Sequence, residues 1–252
     1  MLPAFNEAER IGPALDELFE YLDARPDDGL PARVEVVVVD DGSDDATSDI
    51  VAGRPEAAPG ADSGAGPAAK PALHLLRVSH GGKGSAVKSG VLNADADIVV
   101  FADADMATPP SELPKLVAAL ESADVALGSR IQLDGSDMRA SQPRYRRFLG
   151  RAFHLLTSWW VVGDVTDTQC GFKGFSREAA HDLFGRQKVT SIVFDVELIH
   201  LARRRGYSMA VVPVRWEDRR GSRLRPGARL AMRVAWDLFR IPLLHRTVRR
   251  RR

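Results

Sequence analysis

The order of the residues predicts an α/β fold with a mostly parallel, Rossmann-like sheet flanked by helices, and three observations carry that reading. From Val34 to Arg130, short aliphatic runs alternate with segments of helical periodicity, the pattern left by βαβ crossovers. Four of those runs lead into polar or glycine-containing stretches: Asp40-Asp41-Gly42-Ser43, Gly81-Gly82-Lys83-Gly84, Asp103-Ala104-Asp105 and Arg130. Ligands of open parallel sheets bind beyond the carboxyl ends of the strands, so these four clusters fall at equivalent positions. Length and composition agree, since 252 residues, 44% hydrophobic and 27% charged, form one domain over 1–252 with one substantial core.

Taken in order, Met1 to Glu7 leads into a helix from about Glu9 to Leu22. Its apolar positions Ile11, Leu15, Leu18, Phe19 and Leu22 recur at helical spacing. Val34–Val39 reads as a fully buried strand, and the acidic Gly/Ser turn after it is either a nucleotide-site loop or a capped helix start. Residues 53–72, rich in Ala, Gly and Pro and without periodicity, are expected to be a flexible insert. Leu73–Val78 is a strand leading to Gly81–Gly84, where glycines allow close backbone approach and Lys83 supplies positive charge. The spacing is not that of a Walker loop. A helix over about Ser85–Ala94, the strand Ile98–Ala102, a helix over Pro114–Ser122 and the strand Val125–Arg130 complete the regular half.

The second half is less regular. Tyr145–Val162 reads as a helix in which Phe148, Phe153, Trp159 and Trp160 sit among arginines 144, 146, 147 and 151. It suits either a membrane interface or packing on the sheet. A polar, glycine-punctuated stretch over Asp164–Phe175 precedes a helix from Phe194 to about Arg204. Val211–Trp216 reads as a strand, Glu217–Arg225 as a basic loop, and Gly227–Phe239 as a last amphipathic helix. The net charge of +1 hides an asymmetry, because from Arg219 onward Asp237 is the only acid among many arginines. The basic tail, about 240–252, attracts lipid headgroups or nucleic acid, or is a solvated end.

The chemistry concentrates in the Asp103/Asp105 pair. In an extended segment residues i and i+2 point to one side, so the two carboxylates can converge on one ligand. Hard oxygen donors at a strand end suit Mg²⁺ or Mn²⁺ that keeps waters and a phosphate in its shell. Cys170, the only cysteine, excludes an internal disulfide and fits a reducing cytoplasm. It reads as a packing residue rather than a nucleophile. The six histidines show no metal-ligand spacing, and His80 stands apart only because it adjoins the Gly-Lys loop. No apolar run reaches the roughly 18 residues of a membrane span.

Together the motifs are recognisable. Pro3-Ala4-Phe5-Asn6-Glu7, Val39-Asp40-Asp41-Gly42-Ser43, Gly82-Lys83-Gly84, Asp103-Ala104-Asp105 and Gly128-Ser129-Arg130 resemble glycosyltransferase family 2, with its GT-A fold. Asp167–Lys173, Phe194–Leu198, Trp216-Glu217 and Gly221-Ser222 resemble more specifically dolichyl-phosphate β-glucosyltransferases and, less closely, dolichyl-phosphate mannose synthases. Family members carry a full hydrophobic strand before Pro-Ala-Phe-Asn-Glu. Only Met1 and Leu2 precede it here, so a truncated first strand and a weakened core and base pocket are expected, from either a start codon set too late or a shortened chain.

The resemblance implies an inverting transfer of a hexose from a nucleotide sugar, UDP-glucose first, to a polyprenyl or dolichyl phosphate. It also implies roles for individual residues. Pro3, Phe5, Glu7 and Asp40 or Asp41 would hold base and ribose; Asp103 and Asp105 would bind the metal on the donor pyrophosphate. Arg130 would meet a phosphate, and Arg219, Arg220 and Ser222 would close a loop over the site. Asp195 is the candidate general base, while Lys83, Gln169 and Lys173 are further substrate-binding candidates. The implied partners are donor, lipid phosphate and membrane surface, without nucleic acid, at the inner face of a cytoplasmic membrane. GDP-mannose as donor, or donor binding without turnover, are the competing readings.

Overall fold

The computed structural model describes residues 1–24, 29–58, 70–132, 134–138, 161, 165, 167–219 and 227–251. The described elements are β1 (Leu2–Ala4), α1 (Ile11–Ala24), β2 (Glu35–Asp40), α2 (Thr47–Ala52), β3 (Ala72–Arg77), α3 (Lys83–Asn93), β4 (Ile98–Ala102), α4 (Leu113–Leu120), β5 (Val125–Ser129), β6 (Phe172–Ser176), α5 (Arg177–Arg186), α6 (Phe194–Arg205), β7 (Met209–Pro213) and α7 (Ala228–Leu244).

A parallel three-stranded sheet in the order β1-β2-β3 lies beside a four-stranded sheet in the order β4-β6-β5-β7. They meet edge to edge at Met1, whose nitrogen donates to Val100 O at 2.8 Å and whose carbonyl accepts from Ala102 N at 3.0 Å. The ladder between β1 and β4 goes no further, for a covalent reason. Alternate residues of a strand bond to the same neighbour, and the next one on this side is Pro3, which has no N–H to give. The strand order reverses between β1 and β4, the two edges that meet at Met1. Such a reversal marks the crevice in which open α/β sheets bind ligands.

The first strand is short, as its sequence requires. Its three residues still pair with Val38–Asp40 of β2, and Leu2 and Ala4 are buried. Helix α3 lies against it at Gly90, where a Cβ would meet Val39 and Met1 side chains at 2.7 and 2.9 Å. On the other side of the crevice, Phe101, Phe175, Phe184 and Phe194 form an aromatic core with neighbouring centroids 5.2–6.2 Å apart. Each is fully buried, which contributes roughly 1.5–3 kcal/mol per side chain.

Three expectations need correction. Phe172–Ser176 is a strand, and it runs antiparallel between β4 and β5. Lys173 and Gly174 conceal its apolar pattern, yet Lys173 is fully buried. The last strand is Met209–Pro213 rather than Val211–Trp216, and its register with β5 begins at Val125↔Met209. Helix α5 has no counterpart in the expected elements; Ser176 caps it by accepting from Ala179 N, and Ala179, Ala180, Leu183 and Phe184 face the core. The helix expected over Tyr145–Val162 lies outside the described residues except for Val161. In the expected insert Pro55–Ala57 forms a 3₁₀ turn, while 59–69 lie outside the described residues. No described helix is long and apolar enough to cross a membrane.

Candidate functional site

The crevice between β1 and β4 gathers most of the expected site residues. The chain leaves β4 at Ala102, and Asp103 N donates to Gly171 O at 3.0 Å, fixing the turn to the start of β6. A Cβ on Gly171 would land on the Asp103 carboxylate. Glycine is therefore required there for Asp103 to hold its rotamer. Met106 N donates to Asp103 O and Met106 has a φ of 49°, so the chain turns back sharply after the two carboxylates.

Asp103 and Asp105 remain accessible, with side chains 39% and 27% exposed. Lys83 Nζ lies 2.6 Å from Asp103 Oδ1. Ala107 N donates to Asp105 Oδ1 at 3.1 Å, and Arg10 stands 3.9 Å from the other oxygen. Burial, and next the Asp103 charge, push the Asp105 carboxyl above its ordinary value, against smaller opposing effects of Ala107 N–H, Arg10 and Lys83. The pair thus holds negative charge that the protein only partly compensates. Burial works against the Lys83 ammonium, but Asp103 first, then Asp195 and Asp105, outweigh it and raise its pKa.

This donor set fits a divalent cation. Two hard carboxylates under mutual repulsion are stabilised by Mg²⁺ or Mn²⁺. Among the described residues no group of three or more His, Cys, Asp or Glu surrounds a metal position. The remaining ligands would have to be phosphate oxygens and water, the shell such ions keep on nucleotides.

The Asp40/Asp41 pair is built differently. Asp40 accepts from Ser43 N at 3.0 Å and from the hydroxyls of Ser43 and Ser48. Asp41 accepts from Gly81 N at 2.8 Å and Gly82 N at 2.9 Å, and His80 Nδ1 lies 2.9 Å from its Oδ2. Both carboxylates are buried. Their visible work is to tie the β2 turn to the Gly-Lys loop. The glycines of that loop also serve packing: a Cβ on Gly82 would meet Thr190 O at 2.9 Å, and one on Gly84 would meet Phe194 Cβ at 2.8 Å. Gly84 N donates to Thr190 O. Lys83 is left at the N-terminus of α3, reaching into the crevice.

Phe5 and His80 stand face to face at the rim, centroids 4.3 Å apart and tilted by 31°, with Phe5 partly exposed. Pro3 lies in register with Val39. The Glu7 carboxylate is engaged by Arg10 at 2.5 and 2.6 Å, the i,i+3 spacing of one helical turn. Arg10 thereby joins Glu7 to Asp105, a link the motif reading missed although the spacing was visible.

Arg130 is committed within the protein. Its Nε and Nη2 donate to Asp167 at 2.8 and 2.6 Å, its backbone N–H donates to the same carboxylate, and its guanidinium lies 5.6 Å from the Trp216 ring centroid. Burial opposes the charge, and the Asp167 bonds more than offset that, holding the guanidinium above its usual range. Lys173, expected among substrate contacts, is interior instead: Nζ donates to Asp195 Oδ1 at 2.7 Å and to Cys170 O at 2.5 Å. Asp195 is itself buried and close enough to Lys83 to act on its charge. Gln169 is half-buried nearby in sequence. Burial, followed by Asp167, pushes the Cys170 thiol up to about 12, so it is no thiolate at neutral pH. Arg219 pairs with Glu17 of α1 at 2.7 and 3.0 Å. Ser222 and Arg220 lie outside the described residues.

Comparison with known proteins agrees with this geometry. The model of the family described as glycosyl transferase family 2 matches residues 1–184. A dolichyl-phosphate beta-glucosyltransferase of Trichomonas vaginalis is 35% identical over 254 residues, covering 98% of this chain and 71% of that protein. Its namesake in Drosophila melanogaster is 36% identical, covering 90% and 68%; that of Homo sapiens is 34% identical, covering 90% and 69%. Among solved structures, glucosyl-3-phosphoglycerate synthase from Mycobacterium tuberculosis superposes with a TM-score of 0.61 at 19% identity, covering 96% and 77%. That structure holds Mn²⁺, UDP-glucose and phosphoglyceric acid. At this identity the likeness is one of fold.

Proposed function

Because the chain belongs to glycosyl transferase family 2, we propose that it moves glucose from UDP-glucose to a dolichyl or other polyprenyl phosphate, with inversion at the anomeric carbon. The observation that carries this reading is the similarity, over 98% of the chain, to a protein named dolichyl-phosphate beta-glucosyltransferase. The crevice chemistry supports it. Phe5 and His80 offer a flat rim for a base, and Pro3 and Glu7 belong to the same proposed pocket. Lys83 offers a cation to a phosphate beside two carboxylates that suit a metal.

When bound, Mg²⁺ or Mn²⁺ would supply Lewis-acid stabilisation of a departing nucleoside diphosphate. Asp103 and Asp105 would hold it, and Gly171 leaves room for the Asp103 rotamer. Lys83, 2.6 Å from Asp103, would neutralise phosphate charge beside it. Arg130, fixed by Asp167 and Trp216, would offer a phosphate its remaining N–H groups rather than its whole fork. Asp41 shapes the base side through the Gly81–Gly82 turn. Gln169 and the Arg219–Ser222 loop complete the proposed substrate contacts.

An acceptor phosphate is anionic at neutral pH and attacks without a strong base. Asp195, held by Lys173, is then an electrostatic and orienting group for that acceptor; it would be the base for a hydroxyl acceptor. The work would be done at the cytoplasmic face of a membrane, where such lipids present their phosphates. The test is a panel of UDP- and GDP-sugars with polyprenyl phosphate and either metal. UDP-glucose turnover is expected. Turnover with GDP-mannose alone would reassign the donor, and donor binding without release of nucleoside diphosphate would remove the enzymatic reading.

A further inference from the structure

Residues 187–193, between α5 and α6, form no helix or strand, yet they are bonded to the start of α3, which carries Lys83. Thr190 O accepts from Gly84 N at 2.9 Å, and Gln187 Nε2 donates to Gly84 O at 2.9 Å. Both backbone groups of Gly84 are thus engaged by this strap. Further along α3, Lys88 Nζ donates to Gln187 O at 2.9 Å. Glycine permits the approach, since a Cβ on Gly84 would meet Gln187 Nε2 at 3.0 Å and Phe194 Cβ at 2.8 Å. The neighbouring Lys83 stands with Nζ 2.6 Å from Asp103 Oδ1 and 6.0 Å from the Phe194 ring centroid.

The strap is itself held from behind. Glu197 of α6, fully buried, accepts from Lys188 N at 2.9 Å and from Val189 N at 2.8 Å, and His245 Nε2 lies 2.6 Å from its Oε1. Ser191 Oγ donates to Asp237 of α7 at 2.6 Å. Gln187 is buried as well, and its Nε2 makes a second bond, to Val189 O at 2.8 Å. Its Oε1 is buried without a hydrogen-bond partner. An unpaired buried amide oxygen is costly, and an apolar side chain of similar length would avoid that cost. Packing alone therefore does not select glutamine here. What the amide supplies is a donor that joins Gly84 O to Val189 O. Of the Phe194–Leu198 run, Asp195 alone has so far been given a part in the reaction.

We propose that Gln187 and Glu197 are positioning residues for Lys83: Glu197 fixes the strap, and the strap sets where α3 presents the Lys83 ammonium to a nucleotide phosphate. The inference rests on the proposed nucleotide site and on Lys83 meeting a phosphate there. A lysine carries its charge on a flexible four-carbon stem, so the ammonium is placed only as well as its backbone and stem are. Here the Gly84 bonds hold the backbone and the Phe194 ring lies beside the stem. Gln187 and Glu197 are both buried and act through Lys83 rather than on the nucleotide.

The test is a double-mutant cycle on the full chain, read by titration calorimetry of UDP in the presence of Mn²⁺. Lys83→Met should weaken UDP binding by about fiftyfold, the loss of a charged hydrogen bond. Gln187→Met, similar in length and apolar, should weaken it by about tenfold through misplacement of the ammonium. In the Lys83→Met background the same substitution should cost less than about twofold, because the group it places is gone. Glu197→Gln should repeat this pattern by a second route, so a folding failure of either variant leaves the other to decide. Amide hydrogen exchange over residues 82–87 should rise in both strap variants and stay unchanged in Lys83→Met. Equal losses of affinity with and without Lys83 overturn the proposal, since the two residues then serve the fold alone. Wild-type affinity in both strap variants, with weak binding by Lys83→Met, overturns the positioning and leaves the nucleotide site standing. The site reading fails on separate measurements. Wild type that binds no UDP removes it, and wild-type affinity in Lys83→Met removes Lys83 from the phosphate; either result also overturns the proposal.

Discussion

Two acidic pairs at the ends of two strands look alike in sequence and have opposite fates. Asp40 and Asp41 end β2, are buried, and receive N–H and O–H donors from the Ser43 turn, Ser48, His80 and the Gly81–Gly82 backbone. Asp103 and Asp105 follow β4, stay partly exposed, and among the described residues meet Lys83, Ala107 N and a distant Arg10. The difference is where the hydrogen-bond donors come from. The first pair faces a loop that folds onto it. The second lies at the β1–β4 junction, where Pro3 has no N–H to extend the ladder. A satisfied carboxylate holds structure, and a carboxylate under repulsion is available to a cation.

Substitutions can break this contrast. Asp105→Asn should lower transfer by about a thousandfold while leaving the melting temperature unchanged or higher, because burial and Asp103 both disfavour its ionised form. Calorimetric unfolding beside a nucleoside-diphosphate release assay reads both. Lys173→Met should cost about 3–5 kcal/mol in urea unfolding by leaving Asp195 buried and unpaired, and the double variant with Asp195→Leu should recover much of it. A recovery in stability without recovery of transfer would separate the two duties of that pair. Gly171→Ala should reduce transfer by about a hundredfold through displacement of Asp103, with a smaller effect on unfolding.

The mirror experiment is Asp41→Asn. One of its two backbone N–H partners would face an amide N–H₂ instead of an oxygen, a loss of about 1–3 kcal/mol. The smallest effect concerns pH. Burial raises the Asp182 carboxyl, but Arg205, Arg186 and Tyr207 outweigh this and lower its pKa in the fold. Its stabilisation is therefore complete above the ordinary value of 3.8 and fades as pH falls below it toward the lowered value. Asp182→Asn should flatten the acid limb of a stability-versus-pH curve measured by urea unfolding.

Periodicity and strand ends made much of this legible. The alternation of apolar runs located β2 to β5, and the position of polar clusters after them located the crevice. What stayed hidden depended on pairing in space. Lys173 read as a substrate contact in a polar, glycine-punctuated stretch because its neutralising partner, Asp195, lies 22 residues away. The same distance effect concealed that Asp167 would occupy the fork of Arg130, 37 residues earlier. Asp40/Asp41 and Asp103/Asp105 could not be ranked from their spacing, since the backbone donors that settle Asp41 come from a loop about 40 residues on. Helix α7 was legible as amphipathic, but only the contacts of Asp237 with Ser191 and of His245 with Glu197 show which face turns inward.

The central claim is that Asp103 and Asp105 are held in reserve for a metal carrying a nucleotide. Titration calorimetry of UDP into the full chain, with and without Mn²⁺, tests it without turnover. Wild type should bind UDP much more tightly with Mn²⁺ than without, and Asp105→Asn should lose that increment while keeping its melting temperature. Metal-dependent UDP binding by Asp105→Asn equal to that of wild type would contradict the account.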